Sequence, residues 1–411
     1  MHVRRPALII VFLLCCKALF AQQKESWTGQ LQLNDSTALP VPLILETSGE
    51  HLVLEFQNGT ERIRTQEVQT VGDSLLIKLP VFDSELRLKK GASKLSGVWI
   101  NHARQDRNII AFKAEKTSHS MAVATPCRLL HGEHWKVRFS PNSDDEYTAI
   151  GLFDLNESTG ILQGTYLTET GDYRYLSGTA KPSKQGYALS MGCFDGSHAF
   201  LFEASLDTAA ATMQGTFFSG AHWQEPWNAV RDDAFALRDP DSLTALKPGF
   251  NSIDFAFPNL EGKQVNLKDD RYKGKVLIVQ IMGSWCPNCM DETRYFAALQ
   301  RKFRARGLEV IALAFERGND VEQQRKNLIR AKQQLGADYE FLLTGYSGKA
   351  AEASKALPML NRVMAFPTAI YIDRKGMVRN ISTGFNGPAT GTYNEAWMEK
   401  TNLLLEQLLA E

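Results

Sequence analysis

Residues 276–292 read VLIVQIMGSWCPNCMDE, and this stretch is the most informative feature of the chain. The apolar run 276–282 predicts a buried strand, and the residues after Cys289 predict a helix. Cys286 and Cys289 therefore lie at a strand-to-helix junction, where two thiols separated by two residues can close into a disulfide. The stretch predicts a strand–turn–helix unit that carries a redox-active pair of cysteines.

The start of the helix assigns different roles to the two cysteines. Cys286 precedes the first helical turn, where unpaired backbone N–H groups and the helix dipole stabilise a thiolate. Pro287 suits the first helical position because its φ is fixed and its missing N–H is not needed there. Cys289 lies one turn further in, where it can attack a mixed disulfide formed on Cys286. We predict that Cys286 is the nucleophile and Cys289 the resolving cysteine.

Two other uses of a C-x-x-C motif fit this sequence less well. A structural zinc site needs four ligands, and no second C-x-x-C or C-x-x-H follows in this half of the chain. A purely structural disulfide is the other alternative, but a strand-to-helix corner directly after Trp285 is the context of a redox motif. We predict no metal site and no cofactor beyond the redox-active disulfide Cys286–Cys289 itself.

Beyond the motif, residues of about 250–411 resemble the TlpA/ResA-like thiol–disulfide oxidoreductases, a branch of the thioredoxin fold. The resemblance is carried by the segments 254–263 (DFAFPNLEGK), 272–276 (YKGKV), 283–289 (GSWCPNC), 366–368 (FPT) and 384–388 (GFNGP). It implies an α/β thioredoxin-like domain with thiol:disulfide oxidoreductase activity.

The same resemblance implies the remaining site residues. Glu292 falls where the family keeps a glutamate beneath the dithiol, and there it could take up or give a proton during resolution. The alternative for Glu292 is an exposed acid of the first helical turn. Pro367 matches the cis-proline that lies against the dithiol and presents a backbone edge to the substrate. The predicted rim of the substrate site comprises Trp285, Pro287, Phe366 and Thr368.

The segment between this helix and Pro367 departs from the family by its length. It holds helical patterns at about 319–335 and 347–357 around a strand-like run at 339–343. We predict that this insertion either recognises a partner or shapes the rim of the active site.

Residues 22–240 differ from the rest of the chain by their short alternating runs. Runs such as 52–56 (LVLEF) and 75–79 (LLIKL) are separated by turn signals. This pattern predicts an all-β domain, either an antiparallel barrel or sandwich, with the character of a lipocalin-like meander. A polar stretch at 241–250 is the predicted linker to the thioredoxin-like domain at 251–411.

Length and charge bound the classes of function. A chain of 411 residues exceeds one compact core and predicts two domains. Its 46 basic and 46 acidic side chains balance, and nothing in that balance indicates a nucleic-acid partner.

The first 21 residues predict a secretory signal peptide. Arg4 and Arg5 precede an apolar run at 7–16, which is too short to span a bilayer, and Ala21 offers a small residue at the cleavage site. A lipid anchor at one of the cysteines of 15–16 is a weaker alternative because neither follows a small residue. We therefore predict export to the periplasm or cell envelope.

Export leaves two cysteines outside the motif. Cys127 and Cys193 both lie in the β-rich half of the chain. An oxidising compartment favours a disulfide between them, and two free buried thiols are the alternative.

The function predicted from these features is that of an exported thiol–disulfide oxidoreductase. Its partners are disulfide-containing exported proteins, which it reduces, and a membrane or periplasmic thiol reductant. The motif does not fix the direction of electron flow, and the resemblance favours reduction. Two alternatives from other classes remain open. One is a binding protein whose β domain captures a ligand or partner, and the other is a copper chaperone that holds the metal with the dithiol.

Overall fold

The computed structural model describes residues 23–49, 51–66, 68–117 and 127–411. The predicted signal peptide at 1–21 lies outside these ranges. The described chain is all-β up to Arg231 and α/β from Ala256 onward, which confirms the predicted fold class. The helices found in the described ranges include none that is long and apolar enough to cross a membrane.

The first β unit is an open antiparallel sheet. Its strands, in the described part of residues 23–116, are β1 (Gln23–Gln32), β2 (Ala38–Ser48), β3 (His51–Asn58), β4 (Glu61–Arg64), β5 (Val68–Val71), β6 (Ser74–Lys78), β7 (Ser84–Lys90), β8 (Lys94–Asn101) and β9 (Ile109–Lys116). They pair in the order β4-β3-β2-β1-β9-β8-β7-β6-β5. Alternate side chains bury one face of this sheet, whose core contains Trp27, Phe56 and Trp99.

The second β unit is a closed antiparallel barrel. Its strands are β10 (His131–Phe139), β11 (Tyr147–Asn156), β12 (Ile161–Thr168), β13 (Gly171–Asp172), β14 (Leu176–Pro182), β15 (Gly186–Phe194), β16 (Ala199–Asp207), β17 (Thr212–Ser219) and β18 (Trp223–Arg231). Within the described residues 127–231, all of these strands except the short β13 form a ring, which the pairing of β11 with β12 closes. The aromatic side chains of Trp135, Phe139 and Tyr166 fill its interior.

Two β units thus occupy the region for which the sequence predicted one barrel or sandwich. Each unit has its own hydrophobic core. Alternating runs and turn signals continue through both units in the same manner, so the local pattern carries no mark of the boundary between them.

The predicted disulfide between Cys127 and Cys193 is wrong. Both side chains are buried in the core of the barrel, and no disulfide joins them. Burial raises the pKa of the Cys193 thiol well above its ordinary value, which keeps the sulfur protonated and unreactive.

The C-terminal domain, as far as residues 247–411 are described, has a main sheet of five strands with helices on its faces and a separate sheet of two strands. Its strands are β19 (Ala256–Pro258), β20 (Gln264–Asn266), β21 (Val276–Met282), β22 (Leu308–Ala314), β23 (Glu340–Leu343), β24 (Thr368–Ile372) and β25 (Val378–Thr383). Its helices are α1 (Pro287–Phe303), α2 (Val321–Leu335), α3 (Ala350–Ala356) and α4 (Thr392–Ala410). The main sheet has the order β23-β22-β21-β24-β25, and β19 pairs only with β20. β21, β22 and β23 are parallel to one another, β24 is antiparallel to β21, and β25 is antiparallel to β24.

The apolar run 276–282 forms β21, the central strand of this sheet. All seven of its residues are buried. Val276, Ile278 and Met282 enter the core on one face, and Leu277, Val279 and Ile281 enter the core on the other. A strand covered on both faces is continuously apolar, and its one polar residue, Gln280, points to the face that carries α1.

The residues predicted as a linker, 241–250, lie against the C-terminal domain. Asn380 Nδ2 donates a hydrogen bond of 2.9 Å to the carboxylate of Asp241. The hydroxyl oxygens of Thr244 and Thr383 lie 2.8 Å apart. The C-terminal domain therefore extends in packing to residues before 251.

The three units also contact one another directly. Arg330 Nε on α2 donates to the carbonyl oxygen of Val81 in the first sheet at 3.1 Å. The side chain of Asn58 in that sheet bonds both the N–H and the carbonyl of Phe194 in the barrel, each at 3.0 Å. The barrel in turn meets the C-terminal domain at the dithiol, as described next.

Candidate active site

The two cysteines of the motif lie at the first turn of α1 and form a disulfide. Cys286 is the N-cap residue with extended backbone, and its Cα lies 5.2 Å from that of Cys289. The backbone N–H of Cys289 points at Cys286 Sγ across 3.2 Å. Cys286 is 6% exposed and Cys289 is fully buried. A charge on Cys286 Sγ would therefore meet the unpaired N–H groups of the helix start, whereas Cys289 is shielded.

Glu292 lies beneath the disulfide in a buried polar network. Gln280 Nε2 donates to Glu292 Oε2 at 2.8 Å and to the carbonyl oxygen of Cys289 at 3.3 Å. Thr293 Oγ1 donates to Gln280 Oε1 at 3.0 Å, which fixes the orientation of the amide. Desolvation raises the pKa of Glu292 to about 8, against the opposing effect of the Gln280 bond. The carboxyl thus holds a proton near neutral pH, one helical turn from Cys289.

The segment opposite the dithiol contains the one cis peptide bond of the described chain, Phe366–Pro367. The carbonyl oxygen of Phe366 lies 3.7 Å from Cys286 Sγ. Thr368 is fully buried at the start of β24, and its hydroxyl donates to the carbonyl oxygen of Ala365 at 2.8 Å. The carbonyl group of Phe366 therefore lies against Cys286 Sγ. Thr368 is buried, stabilises the turn through its hydroxyl, and is not exposed on the rim.

Trp285 is held in place on the other side of Cys286. Its Nε1 donates to the carbonyl oxygen of Phe315 at 2.9 Å, and the guanidinium of Arg317 lies 3.6 Å from its ring centroid. Its ring meets that of Phe366 at 5.5 Å, edge to face. The predicted rim residues Trp285, Pro287 and Phe366 thus surround the sulfur.

A second buried carboxyl near the dithiol was not predicted from the sequence. Glu316, two residues after β22, accepts hydrogen bonds from the backbone N–H and the hydroxyl of Ser284 at 2.7 and 2.6 Å. Burial raises the pKa of Glu316 to about 7. The position of Glu316 just after β22 could have indicated this, because β21 and β22 are neighbouring parallel strands and their carboxyl ends lie at the same edge of the sheet.

The barrel covers one side of the dithiol. Ser197 Oγ donates to the carbonyl oxygen of Trp285 at 2.9 Å. Asn288, between the two cysteines, donates from Nδ2 to the carbonyl oxygen of Asp172 at 3.1 Å. The carboxylate of Asp172 accepts from the backbone N–H of Gly387 at 2.6 Å. Loops of the barrel are therefore bonded to the active-site segment itself.

A buried arginine ties all three units together beside α1. Arg174 of the barrel is 7% exposed. It pairs with Glu61 of the first sheet at 2.8 Å, with Asp195 of the barrel at 3.8 Å and with Asp291 of α1. Three carboxylates around one guanidinium satisfy a charge that burial alone would make costly. No local sequence pattern marks Arg174, because its partners come from distant parts of the chain.

Between the barrel and the dithiol lies a cavity of about 650 Å³. The C-terminal domain contributes Trp285, Cys286 and Phe366, among others, to its wall. The barrel contributes the mouth of its aromatic core, including Tyr147, Tyr173 and Phe200. A sulfur in a half-open cleft with polar and apolar walls, with a protonated carboxyl nearby, is an arrangement suited to thiol–disulfide exchange.

The C-terminal part of this chain is similar to known proteins. The family model described as Redoxin matches residues 247–396. The thiol-disulfide oxidoreductase ResA of Bacillus cereus (strain ZK / E33L) is 34% identical over 133 residues, which are 32% of this chain and 68% of that protein. The ResA of Geobacillus thermodenitrificans (strain NG80-2) is 27% identical over 143 residues, or 34% and 72% of the two chains. Among solved structures, a thiol:disulfide interchange protein of the thioredoxin family from Chlorobium tepidum TLS is 20% identical with a TM-score of 0.29, covering 40% of this chain and 99% of that one.

Proposed function

The chain belongs to the TlpA/ResA-like thiol–disulfide oxidoreductases, and from that membership we propose that it is exported and reduces disulfides of other exported proteins. The observation that carries the proposal is the Cys286–Cys289 pair at the start of α1, linked through Gln280 to the buried carboxyl of Glu292. Export is supported by the charged and apolar pattern of the first 21 residues.

The proposed reaction begins with the reduced pair. The Cys286 thiolate attacks one sulfur of the substrate disulfide, which breaks that bond and releases the other sulfur as a thiolate. Cys289 then attacks Cys286 Sγ, forms the Cys286–Cys289 disulfide and releases the second substrate thiol. Two electrons pass from enzyme to substrate, and an external thiol reductant returns them. Glu292 lies near Cys289 and is protonated near neutral pH, so it can give its proton to the departing thiolate, and the carboxylate so formed can take the proton of Cys289.

A turnover assay with the full chain tests this proposal. Pre-reduced protein is mixed with a disulfide-bonded peptide, and the products are counted after acid quenching. We expect one disulfide reduced per protein molecule, no turnover by Cys286→Ser, and a trapped mixed disulfide with Cys289→Ser. Cys193→Ala is the matched control, since this buried cysteine lies in the barrel core and should leave the yield unchanged. Undiminished reduction by Cys286→Ser would show that the motif is not the redox centre.

A further inference from the structure

The barrel stands where a substrate must approach Cys286. Its loops bond to Trp285, Asn288 and Gly387, so they are attached on both sides of the dithiol. The sulfur of the nucleophile is consequently reached through the cleft between the barrel mouth and the Phe366 segment.

Part of the barrel side of the cleft is aromatic. Phe200 stacks on the imidazole ring of His198 at 4.3 Å and meets the ring of Tyr173 at 5.5 Å. The hydroxyls of Tyr147 and Tyr173 bond each other at 2.7 Å, and Tyr147 also donates to Glu225 at 2.8 Å. With their hydroxyls so occupied, these tyrosines present mainly ring surface to a ligand.

The basic side chains of this wall already have acidic partners. Among the described residues that line the cleft, Glu146 pairs with Arg138, and Glu169 pairs with Arg238. His198 lies 3.3 Å from the carboxylate of Asp195. The remaining two, Arg174 and Asp172, are bonded as described above. The wall therefore offers a carboxylate-rich ligand no cation that lacks an acidic partner, whereas the hydrogen bonds to the Asp172 carboxylate come from uncharged backbone N–H groups.

We propose that the barrel mouth is part of the substrate site, and that its occupant is a short flexible polypeptide segment with an apolar or aromatic side chain next to its disulfide-bonded cysteine. The inference rests on the proposed reductase function. The volume of about 650 Å³ lies in the range of pockets that hold a few residues. The Phe366 carbonyl beside Cys286 Sγ supplies a backbone edge for an extended chain. A small anionic disulfide finds no cation on this wall that lacks an acidic partner.

Competing substrates test the proposal. Pre-reduced full chain is mixed, in single-turnover experiments, with two octapeptides that each contain one disulfide and differ only by Phe or Glu next to a cysteine. Glutathione disulfide and a small native protein with an exposed disulfide complete the set. We expect the Phe peptide to be reduced about tenfold faster than the Glu peptide, the discrimination typical of one apolar group in a pocket. Glutathione disulfide and the native protein should react more slowly than either peptide.

Variants of the barrel connect this preference to the wall. Phe200→Ala, and the milder Phe200→Leu, should lower the ratio of Phe-peptide to Glu-peptide rates, with the larger effect for alanine. Trp223→Ala is the matched control, because this barrel tryptophan is 50% exposed and does not line the cleft. Circular dichroism of each variant establishes that the barrel is folded.

The outcomes distinguish the proposed substrate site from the proposed reductase reaction. Equal rates for the two peptides, or an unchanged ratio in both folded Phe200 variants, overturn the proposed site. A faster reaction with glutathione disulfide than with the peptides assigns the cleft to a small disulfide instead. A native protein that is reduced as fast as the peptides shows that the barrel does not restrict access. Failure to reduce any of the four contradicts the reductase function itself.

Discussion

Cys286 is the residue that the local backbone prepares for attack. The N–H of Cys289 points at its sulfur across 3.2 Å, and the fixed helix start adds its partial positive charge. Cys289 has the same chemistry but is fully buried one turn further in. The asymmetry between two identical side chains thus comes from their positions on α1.

Selective alkylation of the reduced protein is the first expected result. Cys286 should be modified before Cys289, with an apparent pKa below the free-thiol value of about 8.5, because its thiolate is stabilised at the helix start. Peptide mapping after brief iodoacetamide treatment across pH 5–9 measures both quantities. Cys289→Ser serves as a control that isolates the Cys286 reaction. Preferential labelling of Cys289 contradicts the assignment.

Glu292 should control the pH dependence of the resolving step. Because desolvation raises its pKa to about 8, it carries a proton that it can exchange with the dithiol near neutral pH. Glu292→Gln is expected to slow resolution and to flatten its profile, as seen by stopped-flow reduction over pH 5–9. Glu395→Gln, at an exposed position of α4, is the matched control. Superimposable profiles for wild type and Glu292→Gln remove this residue from the mechanism.

The same carboxyl should make stability depend on pH. Its pKa is about 8 in the folded protein and 4.5 without the burial, so between these values the folded state holds one more proton than the unfolded state. The free energy of unfolding should therefore fall as pH rises from about 5 to 8, with this group contributing at most about 1.4 kcal/mol per pH unit. Urea unfolding of the oxidised protein at several pH values should show a smaller slope for Glu292→Gln. An unchanged slope would mean that the side chain is solvated.

At the scale of elements, Arg174 joins a loop of the barrel to strand β4 and helix α1. Its carboxylate partners Glu61, Asp195 and Asp291 are themselves largely buried. Removing the guanidinium would leave three carboxylates close together with little water to screen them. Such an arrangement is costly to break, even where forming it adds little net stability.

Arg174→Met should therefore loosen the barrel from the C-terminal domain. We expect a loss of about 3–5 kcal/mol in urea unfolding, together with faster alkylation of Cys286 in the reduced protein as the cover opens. Lys94→Ala, which breaks the exposed pair with Glu115, is the control and should cost less than about 1 kcal/mol. A variant with the stability and Cys286 reactivity of the wild type would show that this cluster does not hold the barrel against the C-terminal domain.

At the scale of the whole molecule, the C-terminal domain has a complete sheet and two cores of its own. Its packing begins before residue 251, since Asp241 and Thr244 bond to Asn380 and Thr383. A separately expressed domain needs these residues. The β units add a wall over the dithiol, and they contribute none of the strands of its sheet.

The fragment 239–411 should fold and reduce a model disulfide without the β units. Because the wall formed by the barrel is removed, it should also reduce a native disulfide-bonded protein faster than the full chain does. Thermal unfolding and single-turnover assays of both proteins measure these effects. The full chain at equal concentration is the reference, and the fragment with Cys286→Ser is the inactive control. A soluble fragment no faster than the full chain shows that the barrel does not limit access.

Much of the C-terminal domain could be predicted from the sequence. The buried strand, the cysteine-capped helix and the inserted helix–strand–helix segment appear as β21, α1, and α2, β23 and α3. These features depend on neighbours within a few residues, such as the Cys289 N–H beside Cys286 Sγ and the φ of Pro287. The division of the β-rich half into a sheet and a barrel could not be predicted, because both units share the same short-range alternation.

The cysteine pair, the predicted roles of its two members along α1 and the family to which the domain is similar could be derived from the sequence, since they depend on local spacing and on the chemistry of the helix start. The cover that the barrel forms over Cys286, and the contact of Arg174 with Asp291, a partner 117 residues away, became visible in the folded molecule. So did the burial of Glu316 behind Ser284. Such contacts join residues far apart in the chain, and their energies depend on burial that forms only when the units pack together.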